Sequence, residues 1–395
     1  MEYPTVSVEE GQASILVPEV VPGEGEPLQR ARSRAPVFFN PTMKLNRDSA
    51  VLALGTFQKV LSRDLCVCEP MCGTGVRGIR LALETDGVDR VVLGDLNPRA
   101  VNLAKENARR NGVVGRVDVR CLEANLLLSL HARPFSRFDY VDIDPYGTPA
   151  PFIDSAIRAS KRDGMVALTA TDMAPLCGVN PRVCLRKYGG WPLKTDDAHE
   201  SALRILAGAF VRRAAVHEVS TEPVFSFASD HYIRLYMLMD RGKRKADGAL
   251  KQIGHIFHCP QCLSRRTVRG IRPSLKVCEV CGASMRAAGP MWLGDLADPS
   301  FCAGMIKLSE TSFIGSNRRL MRIIERMKRE VGLPSGFYNL DKIGSMLGVP
   351  STPMDPVLRR LIEAGFKAVV SHVDERGVKT DAPIKELERI VLGLQ

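Results

Sequence analysis

The sequence predicts an α/β fold, in which a Rossmann-like parallel sheet is followed by a smaller C-terminal α+β domain. Three observations lead to this prediction. Strand-like apolar runs alternate with helical patterns from residue 64 to about residue 170, and a glycine-rich turn follows the first of these strands. A charged break at residues 240–248 then separates this region from a segment with paired cysteines. A length of 395 residues is sufficient for two such domains.

The elements of the predicted sheet follow one another in regular order. Apolar runs in "DLCVCEP", "RVVLGD", "RVDVRCLEA", "FDYVDID" and "MVALTAT" predict five strands. The segments "VRGIRLALET", "PRAVNLAKENARRNG" and "PFIDSAIRASKRDG" (151–164) predict helices between them. After a further helix at about 198–213, two strand-like runs predict an antiparallel hairpin at the edge of the sheet. This alternation is typical of a parallel sheet covered by helices on both faces.

The same patterns predict the domain boundaries. Residues 1–46 contain one strand-like run and a segment rich in Gly, Pro and Arg, so we predict an N-terminal arm. Residues 47–240 form the predicted Rossmann-like domain, and residues 241–395 form the C-terminal domain. This last domain contains a zinc-ribbon-like lobe at 255–290 and ends in a helix, a turn, a helix and a strand, which resemble a winged helix.

The composition is that of an ordinary globular protein with an excess of basic residues. Apolar residues make up 45% of the chain and charged residues 25%, and no apolar run is long enough to span a membrane. The N-terminus is acidic and has no apolar signal core, so we expect a cytoplasmic protein without a membrane partner. The net charge of +11 favours a polyanionic partner. Eleven cysteines in such a chain indicate thiols or metal ligands instead of disulfides.

Three successive strand ends carry residues that suit a nucleoside. Gly73 and Gly75 permit a tight turn and a close approach of the backbone to a ligand. Asp95 ends the second strand, where doubly wound sheets place a carboxylate on ribose hydroxyls. Glu123 and Ala124 end the third strand, where the edge of an adenine can be recognised. Together these positions predict a nucleoside-containing cofactor.

Two classes of cofactor fit these strand ends. The glycines at 73, 75 and 78 spell G-x-G-x-x-G, the fingerprint whose backbone amides bind the pyrophosphate of a dinucleotide. Glu69, just before this loop, would repel a pyrophosphate but suits the cationic amino-acid moiety and sulfonium of S-adenosylmethionine. The motif "DIDPYG" after the fourth strand also has no use in hydride transfer. S-adenosylmethionine is therefore the favoured cofactor.

Asp144, Pro145 and Tyr146 of this motif suit the methylation of an exocyclic amine. Such an amine is a poor nucleophile because its lone pair is shared with the ring of the base. A carboxylate and a backbone carbonyl can accept hydrogen bonds from its protons and localise that pair, while an aromatic ring stacks on the base. The alternative interpretation is a plain turn, since Asp, Pro and Gly are turn residues.

Short strings typical of one family occur in order along nearly the whole chain. They are "FFNPTMKLNRD", "GTGVRGIRLALET", "DIDPYGTP", "TATDMAPLCG", "RKYGG", "DHYIRLY", "GPMWLG" and "GVKTDAP". On these strings the chain resembles the archaeal type of tRNA (guanine-N2-)-dimethyltransferase. The resemblance implies a class I methyltransferase domain that transfers one or two methyl groups from S-adenosylmethionine to N2 of guanine 26 in tRNA. It also implies that the C-terminal domain binds the tRNA.

The resemblance assigns roles to individual residues. Asp144 is implied as the catalytic carboxylate, and Tyr146 and Phe38 as ring partners of an extruded guanine. Many members of the family have Phe where this chain has Tyr146, which preserves the ring face. Arg47 and Arg77 are implied to contact the carboxylate end of the cofactor. The other cofactor contacts that it implies agree with those predicted from the strand ends: Asp95, Glu123 and Ala124.

The paired cysteines predict a structural zinc site. "CPQC" at 259–262 and "CEVC" at 278–281 are two C-x-x-C pairs with fifteen residues between them. This spacing fits a tetrahedral site with four thiolate ligands, Cys259, Cys262, Cys278 and Cys281. The basic segments at 264–276 and 318–329 predict a surface for tRNA phosphates. Alternatively, the zinc only stabilises a lobe that has too small a core of its own.

Two other functions stay open at this point. One is a catalytically inactive, zinc-bearing tRNA-binding protein, although such a relative would be expected to lose Asp144 or the cofactor acids, and this chain keeps them. The other is an adenine-N6 nucleic-acid methyltransferase, which uses a similar motif of an acid or amide, a proline and an aromatic residue. In each case we expect a monomer.

Overall fold

The computed structural model describes residues 3–23, 25–270 and 275–394. The chain divides into two compact units. The first unit is Met1–Thr169 with Gly304–Met321, and the second unit is Ala170–Ala303 with Arg322–Gln395. These units are defined by compactness, so the domain boundaries after residues 46 and 240 stay a prediction.

The strands and helices are numbered along the chain. The strands are β1 (Thr5–Glu10), β2 (Ala13–Pro18), β3 (Leu65–Glu69), β4 (Val88–Asp95), β5 (Val117–Cys121), β6 (Phe138–Ile143), β7 (Ser160–Ala170), β8 (Val219–Ser229), β9 (Tyr232–Arg241), β10 (Ile253–His258), β11 (Arg265–Arg269), β12 (Arg286–Trp292), β13 (Tyr338–Asn339), β14 (Ala368–Val370) and β15 (Gly377–Thr380). The helices are α1 (Leu28–Ser33), α2 (Lys44–Leu61), α3 (Val76–Glu84), α4 (Pro98–Arg110), α5 (Ala124–Leu130), α6 (Ile153–Ala159), α7 (Met173–Leu176), α8 (Pro181–Tyr188), α9 (Ala198–Val216), α10 (Lys243–Leu250), α11 (Pro299–Ser309), α12 (Arg318–Glu330), α13 (Leu340–Leu347), α14 (Met354–Glu363) and α15 (Ile384–Leu392). Within the described residues, no helix is both long enough and apolar enough to cross a membrane.

The first unit is built on five parallel strands in the order β5-β4-β3-β6-β7. Both β3 and β6 are buried along almost their whole length, as expected for central strands with helices on both faces. This order, with the first strand of the set in the middle, confirms the predicted Rossmann-like fold. Because the strands are parallel, their carboxyl ends meet at one edge of the sheet.

The helix predicted at 151–164 is wrong in its second half. The helix α6 ends at Ala159, and the strand β7 begins at Ser160, which pairs with Phe138 of β6. The Nζ atom of Lys161 lies 2.8 Å from Oδ2 of Asp139 on the neighbouring strand. The charged residues that indicate an exposed helical turn therefore belong to the start of a strand.

The N-terminal region is part of the first unit. Its single predicted strand is the second strand of an antiparallel hairpin, β1–β2. Glu10, at the end of β1, is buried and accepts two hydrogen bonds from Arg47 of α2, at 2.6 and 2.5 Å, and one from Arg80 of α3, at 2.9 Å. Removing one partner of such a buried ion pair is strongly destabilising. The segment predicted as an arm is thus held by buried charges.

The second unit contains the long helix α9 and three antiparallel arrangements of strands. The hairpin β8–β9 is present as predicted. Strands β11, β10 and β12 form one three-stranded sheet, and β13, β15 and β14 form another. The predicted order of helix, turn, helix and strand at the C-terminus is confirmed by α13, α14 and β14. The core of this C-terminal region consists of buried apolar residues from α13, α14, α15 and the strands β14 and β15, among them Leu340, Ile343, Val357, Leu361, Val378 and Leu387.

Candidate active site

An open cleft lies at the carboxyl ends of the parallel strands of the first unit. Its volume of about 590 Å³ lies in the range of small-ligand sites. Its lining consists of Ser33, Phe38, Pro70, Met71, Gly73, Asp95, Leu96, Glu123, Ala124, Asp144, Pro145, Tyr146 and Phe152. Seven of the nine residues predicted for catalysis or cofactor binding are in this lining, and the other two are Arg47 and Arg77.

The glycine loop after β3 approaches the acid at the end of β4. Gly73 and Gly75 have φ angles of +54° and +78°, a backbone conformation that glycine adopts without a steric cost. The N–H of Gly73 donates to Oδ2 of Asp95 at 2.9 Å, and the N–H of Asn97 donates to Oδ1 of the same carboxylate at 2.9 Å. A Cβ atom at Gly73 would lie 3.3 Å from the carbonyl oxygen of Phe38. Both the loop and the carboxylate of Asp95 are therefore fixed beside the cleft.

The end of β5 places a second carboxylate on the same edge. Glu123 is the N-cap of α5, and its Oε2 accepts a hydrogen bond from the N–H of Leu126 at 2.9 Å. Its other oxygen, Oε1, lies 3.3 Å from Nδ2 of Asn125. Ala124 opens the helix and is buried. Glu123 and Ala124 thus have a defined backbone and side-chain geometry in the lining of the cleft.

The motif after β6 brings a carboxylate and two aromatic rings to the cleft. The side chain of Asp144 is 19% exposed. The rings of Phe38 and Tyr146 meet edge to face, with centroids 6.0 Å apart and planes at 81°. Phe38 is 43% exposed and Tyr146 is 85% exposed. An aromatic ring so open to solvent contributes little to the core, but it offers a flat face to a planar ligand.

Arg77 lies beneath this motif instead of in the lining of the cleft. Its side chain is 3% exposed, and its NH2 group contacts Oδ2 of Asp144. Its Nε lies 3.1 Å from Oε1 of Glu69 and 3.6 Å from Oδ1 of Asp142. Its NH1 donates to Oδ1 of Asn46 at 2.8 Å. The guanidinium therefore joins three carboxylates and an amide from different elements.

Arg47 is also engaged by protein groups. Besides its two hydrogen bonds to Glu10, it donates to the carbonyl oxygen of Asn40 at 3.2 Å, and its guanidinium lies 5.2 Å from the centre of the Phe39 ring. A cofactor carboxylate would have to share or replace one of these contacts. The predicted role of Arg47 in cofactor binding stays a prediction.

The structure places Glu69 differently from the position expected for an acid that faces a cationic cofactor. Its side chain is buried, where Oε1 meets Arg77 and Oε2 accepts the N–H of Gly78 at 3.0 Å. The pKa of this carboxyl group is raised to about 8, mainly because the group is buried; the charges of Asp142 and Asp144 also raise it, and Arg77 lowers it. Glu69 therefore supports the start of α3 and the guanidinium of Arg77.

Asn46 is the main contributor to this site that no sequence pattern indicates. Besides its contact with Arg77, its Nδ2 donates to Oγ1 of Thr169 at 3.1 Å. The only signal in the sequence is its place in the string "NRD" beside Arg47. Met71, Leu96 and Phe152 also line the cleft without having been singled out, because an apolar side chain at a strand end has no distinctive pattern.

The four predicted zinc ligands come together in the second unit. Their Sγ atoms all lie within 4.8 Å of one another. The Sγ atoms of Cys259 and Cys281 are 3.4 Å apart, and those of Cys262 and Cys278 are 3.6 Å apart. Thiolates around a tetrahedral zinc ion are about 3.8 Å apart, because each Zn–S bond is about 2.3 Å long. The donor set and its spacing therefore fit zinc.

The two cysteine pairs are supported by equivalent backbone turns. The N–H of Leu263 donates to the carbonyl oxygen of Cys259 at 3.1 Å, and the N–H of Gly282 donates to that of Cys278 at 2.9 Å. Both Leu263 and Gly282 have positive φ angles, of +59° and +75°. The first pair lies between β10 and β11, and the second pair lies between β11 and β12. Residues 271–274 of the predicted lobe lie outside the described residues.

The basic segment at 264–276 is not uniformly exposed. The side chain of Arg265 is 7% exposed, with its Nε 3.4 Å from Oδ2 of Asp197 and its guanidinium 4.8 Å from the centre of the Tyr338 ring. Arg266, the next residue, is exposed and forms an ion pair with Glu279. Arg265 is thus unsuited to bind phosphate, because its charge is buried against its own partners.

The second basic segment, 318–329, corresponds to the helix α12. Its charged residues lie on an exposed face, and Ile323, Ile324 and Met327 are buried on the other. The exposed cations of this helix are Arg318, Arg319, Arg322, Lys328 and Arg329. Such a distribution is suitable for contact with a polyanion.

Comparison with known proteins gives matches over nearly the full length of the chain. Residues 11–392 match the family described as N2,N2-dimethylguanosine tRNA methyltransferase. A tRNA (guanine(26)-N(2))-dimethyltransferase of Methanothermobacter thermautotrophicus is 38% identical over 389 residues, which cover 98% of this chain and 99% of the relative. A tRNA (guanine(26)-N(2)/guanine(27)-N(2))-dimethyltransferase of Aquifex aeolicus is 34% identical over 382 residues, or 96% of this chain and 94% of the relative.

A solved structure is similar over the same length. It is the complex of Trm1 from Pyrococcus horikoshii with S-adenosyl-L-methionine, and it superposes with a TM-score of 0.86 at 30% sequence identity. The match covers 98% of this chain and 99% of that chain. The similarity therefore includes both the parallel sheet and the C-terminal elements.

Proposed function

The chain belongs to the N2,N2-dimethylguanosine tRNA methyltransferase family, and we propose that it methylates N2 of guanine 26 in tRNA with S-adenosylmethionine as the methyl donor. One observation supports this activity more than any other. Asp144 and the rings of Phe38 and Tyr146 line the same cleft as Gly73 and Asp95. A nucleoside cofactor and an extruded base can therefore meet in one cleft.

Each group in the cleft has a chemical task in the proposed reaction. S-adenosylmethionine supplies an electrophilic methyl group on a sulfonium. Asp144 accepts a hydrogen bond from the exocyclic amine of guanine, which localises the nitrogen lone pair, and it takes the proton that the nitrogen loses on methylation. Phe38 and Tyr146 stack on the base and hold it in line for transfer. Pro145 has no N–H, so its backbone does not compete with the base for the carboxylate.

The cofactor subsite follows from the three strand ends. We assign the ribose hydroxyls to Asp95 and the adenine to Glu123 and Ala124, because these groups are fixed at the cleft by backbone hydrogen bonds. Gly73 permits the close approach of the ligand to the loop. Arg47 is assigned by family resemblance to the carboxylate end of the cofactor, in exchange for part of its contact with Glu10.

The four-cysteine cluster would hold a structural zinc ion. Cys259, Cys262, Cys278 and Cys281 supply four thiolates, which saturate a tetrahedral ion and leave no position for a substrate. The ion would fix the two turns between β10, β11 and β12, a region with only a small hydrophobic core. Its task is therefore the stability of the lobe.

The tRNA is assigned to the C-terminal region, residues 241–395, which includes the basic helix α12. The exposed cations of α12 and of β11 support this assignment, as does the net charge of +11. We further propose that the protein acts as a cytoplasmic monomer.

Replacement of Asp144 tests the proposed activity. The variant Asp144→Ala should lower the single-turnover rate of methyl transfer to a tRNA transcript by about two orders of magnitude or more, a typical contribution of a general base or an electrostatic group. Its melting temperature and its affinity for S-adenosylhomocysteine should change little. If Asp144 is only a turn residue, the melting temperature falls and the rate per folded molecule stays intact.

A further inference from the structure

The short helix α1 carries arginines beside the open cleft of the first unit. We propose that Arg30 and Arg34 bind the tRNA phosphates that flank the guanine in the cleft, so that α1 is a tRNA surface apart from the C-terminal region. This proposal rests on the methyltransferase activity proposed above, because that activity requires a base of the tRNA to enter the cleft.

The position of these arginines follows from the geometry of α1. Ser33, the last residue of the helix, lines the cleft. Arg30 precedes Ser33 by three residues, and Arg34 caps the helix with its backbone still in the right-handed helical region. Residues three and four apart on a helix share a face, with Cβ atoms about 5–6 Å apart. Arg30, Ser33 and Arg34 are all exposed, so the two arginines lie at the rim of the cleft.

The segment after α1 is fixed to other elements of the first unit. Nδ2 of Asn97, in the loop after β4, donates to the carbonyl oxygen of Pro36 at 2.8 Å. Val37 is buried in a small apolar cluster with Ala100 and Leu103 of α4. A side-chain hydrogen bond and apolar packing therefore hold the end of α1 at the carboxyl edge of the parallel sheet.

The lining of the cleft has a charge that suits the cofactor and opposes an RNA. It contains the carboxylates of Asp95, Glu123 and Asp144, and none of the residues described in this lining is Arg, Lys or His. Arg77 compensates one of these charges, that of Asp144, from beneath. S-adenosylmethionine carries a net positive charge, whereas each nucleotide of a tRNA brings a negative phosphate. Cations at the rim offset this repulsion where the RNA backbone has to approach the acids.

An extruded base brings its own phosphates to this rim. When a nucleotide is flipped, its base enters the pocket while its sugar and phosphates stay in the backbone outside. Phe38 and Tyr146, the rings proposed to hold the base, are 43% and 85% exposed, so they lie near the mouth of the cleft. Arg34 precedes Phe38 by four residues, which span at most about 14 Å when fully extended. A nucleotide that stacks on Phe38 therefore has its phosphates close to Arg34.

Both guanidinium groups are accessible to a phosphate. Arg30 is exposed, and none of the described residues forms an ion pair with it. Arg34 contacts Glu26, and its side chain is 65% exposed. An ion pair so open to solvent contributes little to stability, so a phosphate can replace Glu26. A guanidinium binds a phosphate through two parallel hydrogen bonds, which adds geometric specificity to the attraction.

Two other arginines of the first unit provide a matched control. Arg90 is 48% exposed and pairs with Asp118. Arg109 is 61% exposed and pairs with Glu106. Arg90 lies five residues before the end of β4, a distance of about 16 Å. Arg109 lies near the far end of α4, a helix of 13 residues and thus about 20 Å long that starts beside the cleft.

The test is a thermodynamic cycle between the rim arginines and the phosphates beside the guanine. The rim variant is Arg30→Gln with Arg34→Gln, and the control variant is Arg90→Gln with Arg109→Gln. A tRNA assembled from synthetic RNA carries neutral methylphosphonates on both sides of guanine 26. Affinity for this tRNA and for ordinary tRNA of the same sequence is measured at several salt concentrations, beside a thermal melt of each variant.

The proposal predicts coupling between the two changes. The wild-type protein and the control variant should each bind the methylphosphonate tRNA roughly tenfold more weakly than ordinary tRNA. The rim variant should bind ordinary tRNA roughly tenfold more weakly than the wild-type protein does, with a salt slope smaller in magnitude by about 2. Its affinity should fall little further on the methylphosphonate tRNA, because the contacts that are removed are the same.

Each other outcome overturns the proposal. Losses that simply add in the rim variant would place its arginines away from these phosphates. Equal affinity of the rim and control variants for ordinary tRNA would leave Arg30 and Arg34 as ordinary exposed charges. A weaker affinity for S-adenosylhomocysteine, with unchanged affinity for 5′-methylthioadenosine, which lacks the amino-acid moiety, would assign them to the cofactor. A wild-type protein that binds tRNA but transfers no methyl group overturns the proposed function itself.

Discussion

At the scale of single residues, Glu69 illustrates how burial changes the chemistry of an acid beside the cleft. The folded protein holds its carboxyl group with a pKa of about 8, well above the ordinary value of 4.5, mainly because the group is buried. Between these two pH values the folded state keeps a proton that the unfolded state releases. Stability attached to this group is therefore present at low pH and is lost as the pH rises towards 8 and beyond.

The variant Glu69→Gln should remove this dependence on pH, because an amide does not ionise. The free energy of unfolding of the wild-type protein should fall relative to that of the variant between pH 4.5 and about pH 8. The fall can reach about 5 kcal/mol, since each pKa unit corresponds to about 1.4 kcal/mol. Urea denaturation at several pH values measures this difference, with Glu106→Gln, at an exposed acid, as the control. A difference that is constant with pH contradicts the burial of an ionisable Glu69.

The exposed ring of Tyr146 should matter for the reaction and not for stability. Tyr146→Phe keeps the ring face and should be nearly silent, whereas Tyr146→Ala should slow single-turnover methylation by about 10- to 100-fold, because stacking on a base contributes about 1–3 kcal/mol. Thermal melting should hardly change, since the ring is 85% exposed.

Phe135 supplies the control for this experiment. Its ring is fully exposed, and it is not part of the lining of the cleft. Phe135→Ala should therefore leave the rate unchanged. A normal rate in Tyr146→Ala would show that this ring does not hold the base.

At the scale of elements, the four-cysteine lobe should depend on zinc independently of the cleft. Purified protein should contain one zinc ion per chain, and its removal by a chelator should make the lobe at 255–290 more susceptible to proteolysis. Affinity for S-adenosylhomocysteine should persist, because no cysteine of the cluster lines the cleft. Cys262→Ser should lose the metal, and Cys121→Ser, an exposed cysteine outside the cluster, should retain it. Protein without zinc, or loss of cofactor binding on chelation, contradicts this account.

The three arginines of β11 differ in exposure, so only two of them can contact tRNA. Arg266 and Arg269 are exposed, whereas Arg265 is buried against Asp197 and Tyr338. A variant with both Arg266→Gln and Arg269→Gln should bind tRNA more weakly. The slope of the logarithm of its binding constant against log[salt] should be smaller in magnitude by about 2.

Two controls accompany this measurement. The pair Arg90→Gln and Arg109→Gln removes the same charge from exposed positions of the first unit. Arg265→Gln should instead lower the melting temperature, because it leaves Asp197 without its ion pair. An unchanged affinity and slope for the variant of Arg266 and Arg269 would exclude these residues from the tRNA surface.

At the scale of the whole molecule, the sequence is most informative where a residue lies at or shortly after the end of a strand. Gly73, Asp95, Glu123 and Asp144 do so. Because carboxyl ends of parallel strands meet at one edge, their presence in one cleft follows from local pattern alone. The cysteine pairs are similar, since spacing within the chain defines the ligand set.

The partners of the arginines cannot be predicted in the same way. Arg47 pairs with Glu10 and Arg77 with Asp144 across long segments of chain, and the direction of a side chain on a helix depends on the packing of that helix. Arg265 resembles its neighbour Arg266 in the sequence, but only Arg265 packs against Asp197 and Tyr338, which lie far away in the chain. The partners of these arginines can therefore be identified only from the folded structure.

Analysis of modified nucleosides tests the central claim most directly. An unmodified tRNA transcript is incubated with the protein and S-adenosylmethionine, digested to nucleosides and analysed by mass spectrometry. We predict N2-methylguanosine and N2,N2-dimethylguanosine, and neither product from a transcript in which guanine 26 is replaced by adenine. N6-methyladenosine in the digest, or no methylated nucleoside at all from a folded protein that binds S-adenosylmethionine, would contradict the account.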